Sequence, residues 1–358
     1  MNAIDMRRLP GTEMLTVAQG EGYFPVVAAL GERELLAVFR GGAGHLGTRG
    51  RLDVVRSTDR GHTWSPPLIV VDSERDDRNP ALGAAADGTI VVAYHWQGCY
   101  TAEGKWDASI HKVDTRLIRS HDGGRTWTGD EFLNYVPLNG ASPFGKIRDI
   151  EGTLLMPIYS GPTIGDPGKA VRLGPATCPT YLLRSTDNGR TWGDPSLVAL
   201  GLDEADVLPL LSGEWLLAAR SEKPDEQAIY ALHSPDAGRT WRLTGRVTEA
   251  MEHPPDLTLL SNGWVLLTFG HRHLPFGVQG MVSKNGGYTW EPRRLVFEDQ
   301  LFGRDIGYPS TTRLADGRLI TLFYAAGSKE APHAPYEAIE VCCRAVCYDE
   351  KALVGALA

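Results

Sequence analysis

Apolar residues in this chain come in short runs, and six times two such runs flank a turn containing glycine, which in five of the six follows a polar residue. The segments are VVAALGERELLAVFR at 26–40, ALGAAADGTIVVAY at 81–94, GKIRDIEGTLLMPIYS at 145–160, VLPLLSGEWLLAAR at 207–220, LTLLSNGWVLLTFG at 257–270 and TTRLADGRLITLFY at 311–324. Apolar runs of this length, broken by a polar residue and glycine, predict β-hairpins. The turn glycines are Gly31, Gly88, Gly152, Gly213, Gly263 and Gly317.

A second repeat lies between the hairpins. The pattern Ser-x-Asp-x-Gly-x-Thr-Trp starts at Ser57, Ser120, Ser185, Ser234 and Ser283, with Asn285 replacing the aspartate in the last copy. Ser and Asp side chains can accept nearby backbone N–H groups, and Gly supplies a positive φ. Trp offers a broad apolar face with which to pin the turn. These aspartates are therefore read as structural. Each hairpin, a third strand, this turn and a fourth strand make one four-stranded unit. Six such units predict an all-β, six-bladed β-propeller of antiparallel blades, a single domain over 1–358. The last unit lacks the turn motif. Its third strand is expected at 339–348, and its fourth around Glu13–Val17, so the N-terminal strand would close the ring.

Composition narrows the classes of partner. With 36 basic and 44 acidic side chains the net charge is −8, which argues against nucleic acid. No apolar run is long enough for a membrane helix. The start MNAIDMRRLP carries no apolar signal region, so a cytoplasmic location is expected. Five unevenly spread cysteines fit neither a disulfide framework nor a metal pattern. His253, His271 and His273 lack an acidic ligand at metal-binding spacing, so no metal and no cofactor is expected.

Topology sorts candidate site residues. If both turn types lie on one face of the disc, the other face collects the starts of first strands and the ends of second strands. That selects Arg40 and His45 from blade 1, Asp77 and Arg78 from blade 2, Glu204 and Arg220 from blade 4, His271, Arg272 and Asp256 from blade 5, and Tyr308 from blade 6. Arg40, Arg220 and Arg272 each close a second strand. Guanidiniums converging from separate blades call for an anion, and Arg pairs a carboxylate through two parallel hydrogen bonds.

The Ser-x-Asp-x-Gly-x-Thr-Trp turn is the Asp box, and the chain as a whole resembles the sialidases (neuraminidases). The resemblance implies an acidic sugar as substrate, its carboxylate held by three arginines placed at Arg40, Arg220 and Arg272. Arg78, His271 and Asp256 are further candidates for substrate contact. GLDEADVLPLLSGEWLLAAR is similar to the family segment that opens on a Glu and closes on an Arg, here Glu204 and Arg220. GYPSTTRLADGRLITLFY is similar to the segment bearing the nucleophilic Tyr, here Tyr308. A phenol is a weak nucleophile at neutral pH, and a neighbouring carboxylate can take its proton. The chain departs from the family in two places. Arg40-Gly41-Gly42 stands where the family has Arg-Ile-Pro, and the loop before the first box has no acid/base Asp. His45 in that loop, or Asp77 on the next blade, is then the candidate acid/base. The alternatives are a His-using lyase or other glycosidase on the same propeller, and a carbohydrate-binding propeller without catalysis.

Overall fold

The computed structural model describes residues 3–175, 177–327 and 340–358. Six sheets form the blades of a propeller. Blade 1 runs Tyr23–Ala29, Leu35–Gly41, Arg51–Ser57 and Leu68–Val71. Blade 2 runs Asp76–Ala84, Ile90–Gln97, Val113–Ser120 and Thr128–Phe132, and blade 4 runs Leu202–Pro209, Trp215–Ser221, Ile229–Ser234 and Arg242–Arg246. Blade 5 comprises Glu252–Leu259, Val265–His271, Gly277–Ser283 and Leu295–Glu298. Blade 6 comprises Ile306–Arg313, Arg318–Ala326 and Val341–Asp349, and its fourth strand is the N-terminal Glu13–Gln19. The expected closure of the ring is thus present, two residues longer than the sequence suggested.

Blade 3 differs from expectation. Its other strands are continuous (Thr153–Tyr159, Pro179–Ser185, Gly193–Leu200), but the first strand is split into Ser142–Pro143, Gly145–Lys146 and Arg148–Ile150. Pro143 has no N–H to donate, and Gly145 takes a φ of +65°. The middle piece leaves its own blade and pairs in parallel with Ala81 and Leu82 of blade 2. This sends Lys146 and Arg148 into the hub. A C-terminal helix, Glu350–Leu357, also escaped the sequence reading. Asp349 caps it by accepting from the Lys351 and Ala352 amides, and Leu353 and Leu357 pack with Met6, Phe297 and Tyr348.

The repeated turns behave as structure. In the first, Ser57 Oγ accepts the Gly61 amide at 2.8 Å and Asp59 accepts both the amide and hydroxyl of Thr63 at 2.9 and 2.6 Å. The copies at Ser120, Ser185 and Ser234 repeat these bonds. The Trp of each turn packs into the cluster shared with the preceding blade, as Trp192 does beside Val91 and Trp241 beside Leu182. The motif therefore rivets neighbouring blades, and its carboxylates are spent on amides and hydroxyls within the turn.

Candidate active site

The first strands of five blades share one irregularity at their mouth end. Pairing with the second strand slips between Tyr23 and Val26, Arg78 and Ala81, Asp203 and Ala205, Glu252 and Pro255, and Gly307 and Ser310. A β-bulge re-aims the side chain it carries. At four of them the bulged residue has a positive φ: Phe24 (56°), Asn79 (48°), Glu204 (25°) and Tyr308 (48°). Such conformations are costly for bulky residues and cluster at functional sites. Blades 5 and 6 can approach closely enough only because Gly270 and Gly307 face each other; a Cβ on Gly307 would lie 2.7 Å from the Gly270 Cα.

Two of these bulges bring Tyr308 and Glu204 together. The Tyr308 hydroxyl donates to Glu204 Oε1. Burial holds the Tyr308 phenol well above its ordinary pKa, and the Glu204 charge adds to that. Burial likewise raises Glu204, with Arg220 pulling the other way. Arg220 Nη1 lies 2.9 Å from Glu204 Oε2 as an ion pair without hydrogen-bond geometry, and Nε and Nη2 grip Asp203 with two bonds of 2.8 and 2.7 Å. Those bonds use Nε and one N–H of Nη2, so the second N–H of Nη2 and the Nη1 donors remain.

Arg272 lies over the Tyr308 ring, 5.3 Å from its centroid. It is buried, and among the described residues neither its Nε nor its Nη2 has a hydrogen-bond partner. Arg78 approaches from blade 2 across the Phe24 ring, with Asp76 Oδ2 at 3.5 Å as its nearest acid. Phe24, Phe144 and Tyr324 wall the Tyr308 ring at centroid distances of 4.7, 5.7 and 5.8 Å. Asn79 bonds Ser142 Oγ and the Tyr159 hydroxyl at 3.0 and 3.3 Å. His253, on the same face, is fully buried, and burial and the charges of Arg272 and Arg220 hold its imidazole neutral.

His45 is brought to this cluster by its loop. Its Nδ1 lies 2.7 Å from Asp305 Oδ1, which also accepts the Tyr324 hydroxyl at 2.6 Å. Its ring meets the edge of Phe24 at 4.9 Å, one ring away from Tyr308. Burial, and then the charges of Arg78 and Arg272, lower the His45 pKa despite the Asp305 anion. A neutral ring bonded to a carboxylate carries its proton on Nδ1, which leaves Nε2 as its basic atom.

Four expected residues sit elsewhere. Arg40 is wholly buried, with Nε and Nη2 bound to Asp76 at 2.9 and 2.7 Å and its remaining N–H groups turned to the carbonyls of Ala43, Gly44 and Gly47. It has no donor left for a ligand; it anchors Asp76, the carboxylate nearest Arg78, and it is Arg78 that lies over the Phe24 ring beside Tyr308. Asp77 points away from the hub, accepts the Ser73 amide and hydroxyl at 2.8 Å each, and is raised to about 6 by burial. Strand alternation explains this: Asp76 and Arg78 share one face and Asp77 the other. Asp256 lies further down its strand, bound to Lys146 at 2.6 Å and to the Thr311 amide at 3.0 Å. With Asp206 and Arg148, paired at 2.7 Å, it forms an ionic layer below the tyrosine. The axial space at this level is about 20 Å³, barely one water. His271 turns to the flank of blade 5, where its Nδ1 meets the Pro275 carbonyl.

By topology Phe24, Asp76, Asn79 and Asp305 also fall on the mouth face, without a role in the chemistry, whereas Asp203 is not expected there. A signal did exist for the bulged positions: Phe24, Asn79 and Tyr308 each precede a proline at the start of a first strand.

The fold and this mouth define a sialidase-like β-propeller. The chain belongs to the BNR repeat-like domain family, which matches residues 33–321. A protein of unknown function from Dyadobacter fermentans has the same fold, with a TM-score of 0.74 at 20% identity over 95% of this chain and 100% of that one. The NanB sialidase of Streptococcus pneumoniae gives 0.68 at 12% identity over 98% of this chain and 71% of its own. Trypanosoma rangeli sialidase gives 0.66 at 14% identity over 97% of this chain, which spans 61% of the trypanosomal one. At these identities the likeness concerns the fold. No curated protein matches the chain.

Proposed function

We propose that this protein is a retaining exo-glycosidase acting on a terminal acidic sugar, a sialic acid or a related ulosonic or uronic acid. The observation that carries the reading is the Tyr308–Glu204 hydrogen bond set among Arg78, Arg220 and Arg272. An anionic nucleophile would be repelled by the sugar carboxylate, and a neutral phenol is not; sialidases are a known exception to the paired-carboxylate rule. Tyr308 Oη bonds to the anomeric carbon while its proton passes to Glu204 Oε1. The glycosidic bond breaks, and its oxygen takes a proton from protonated His45. Water then attacks the same carbon and returns a proton to His45, as Tyr308 leaves and recovers its own from Glu204. Arg272, with two donors unspent, and the outer edges of Arg220 and Arg78 hold the carboxylate. A structure of T. rangeli sialidase contains 2,3-difluorosialic acid as a covalent intermediate, and the shared fold makes the same reagent a fitting probe. Intact-mass and peptide analysis should find the sugar on Tyr308. No turnover of any α-sialoside or other acidic glycoside, together with no adduct, would remove this reading.

The His45–Asp305 pair favours a second reading, a lyase. Neutral His45 would remove the proton α to a uronic carboxylate, the arginines would hold the resulting charge, and the 4-linked sugar would depart with a proton from Tyr308. The product is unsaturated and absorbs in the ultraviolet, whereas the hydrolase yields no such band.

A further inference from the structure

The flank of blade 5 carries a group of side chains that the proposed chemistry does not use. Glu252 and His271 face each other across the first two strands, and His273 follows two residues later. Glu252 Oε1 lies 3.7 Å from His271 Nε2 and 3.5 Å from His273 Nε2. The three ligand atoms fall within 4.8 Å of one another. His271 Nδ1 lies 2.8 Å from the Pro275 carbonyl, which can only accept, so this nitrogen holds the proton. In the neutral ring the Nε2 lone pair then faces the carboxylate oxygen, an arrangement in which both atoms can ligate one cation. The other carboxylate oxygen is occupied: Oε2 accepts from Arg294 at 3.0 Å and from the Glu249 amide at 2.8 Å. A carbonyl behind the histidine and donors behind the carboxylate are the outer contacts that orient metal ligands.

We propose that Glu252, His271 and His273 bind a divalent first-row cation, zinc by the nature of the donors. Ligand bonds of about 2.0–2.1 Å from one ion place imidazole nitrogen and carboxylate oxygen about 3.3–3.4 Å apart at the tetrahedral angle, so the Glu252 separations of 3.7 and 3.5 Å need close by only a few tenths of an ångström. Glu252 and His271 are buried and His273 is half-exposed, so the ion has an entry path and a fourth position open to water. His-x-His alone carried little weight in the sequence because its acidic partner is 19 residues upstream and meets it only through strand pairing. The ion would fix the backbone on both sides of Arg272, whose amide donates to the Met251 carbonyl at 2.9 Å.

The test uses the full chain, stripped with chelator and titrated separately with zinc and with cobalt. One equivalent of zinc should bind by calorimetry, cobalt should give the visible bands of a four-coordinate site, and the melting temperature should climb with free zinc. His273→Gln, at a half-exposed position, tests the site without threatening the fold. It should weaken zinc binding by more than the ~10-fold typical of losing an outer contact, and Glu252→Gln should behave alike. No uptake by the parent protein, or equal uptake by His273→Gln, would overturn the site. Neither readout depends on glycosidase activity.

Discussion

The Tyr308 hydroxyl donates to Glu204, although 104 residues separate them and they belong to blades 6 and 4. Both sit on bulges with positive φ, so the backbone of two blades is strained to make one contact. Tyr308→Phe keeps the ring among Phe24, Phe144 and Tyr324 but removes the proton and the oxygen. Its kcat should fall by at least ~10²-fold with little change in KM. Glu204→Gln should do the same, and the double variant should be hardly worse than either, because the two act as a unit. Steady-state kinetics on whichever acidic glycoside is turned over would decide; additive losses would show that the pair is not one device.

The arginines should separate by what already holds them. Arg272 has unspent donors and Arg40 has none. Arg272→Ala should cost roughly 1.5–3 kcal/mol of ligand binding, about 10- to 150-fold in kcat/KM, with a small effect on melting. Arg40→Ala should instead lower the melting temperature strongly, since it strips buried Asp76 of its two-bond partner and leaves it only Arg78 and the Tyr100 hydroxyl at Oδ2, at a cost of about 3–5 kcal/mol. Thermal unfolding read beside Kd for an acidic sugar distinguishes the two.

The two readings of the chemistry differ in the sign of their pH dependence. Burial lowers the His45 pKa below the usual value of 6.5. A hydrolase that needs His45 protonated should lose rate as pH rises through that lowered value. A lyase that needs it neutral should gain rate over the same interval. In either case His45→Ala should abolish this limb of the kcat/KM profile.

Asp77 provides a stability test away from the mouth. Its pKa is about 6, raised from 3.8 chiefly by burial. Between those values the folded protein binds the extra proton, so this residue's contribution to stability declines as pH rises through the window. In Asp77→Asn the decline should vanish. Between about pH 4 and pH 7 the parent should lose roughly 1–3 kcal/mol relative to the variant, measured by urea unfolding, with catalysis unchanged.

Much of the architecture was legible because each blade writes the same local physics into the chain. Short apolar runs, a glycine at each hairpin and a Ser-Asp-Gly-Thr-Trp turn are local requirements, so six blades and the order of strands within most of them follow from residues near one another, and the N-terminal strand is then what completes the sixth. Tyr308, Glu204, Arg220 and Arg272 were placed at the mouth by the same reasoning. Which of the arginines is free was not legible. Arg40 and Arg272 both end a second strand, and only the fold reveals that Asp76 and three loop carbonyls consume the first while nothing described engages two nitrogens of the second. The parity that turns Asp77 from the hub, the split first strand that sends Lys146 against Asp256, and the strand pairing that sets Glu252 beside His271 are likewise decided in three dimensions. A residue's type and spacing bound what it can do. Whether its donors and charge remain available depends on neighbours that the chain brings back from far along its length.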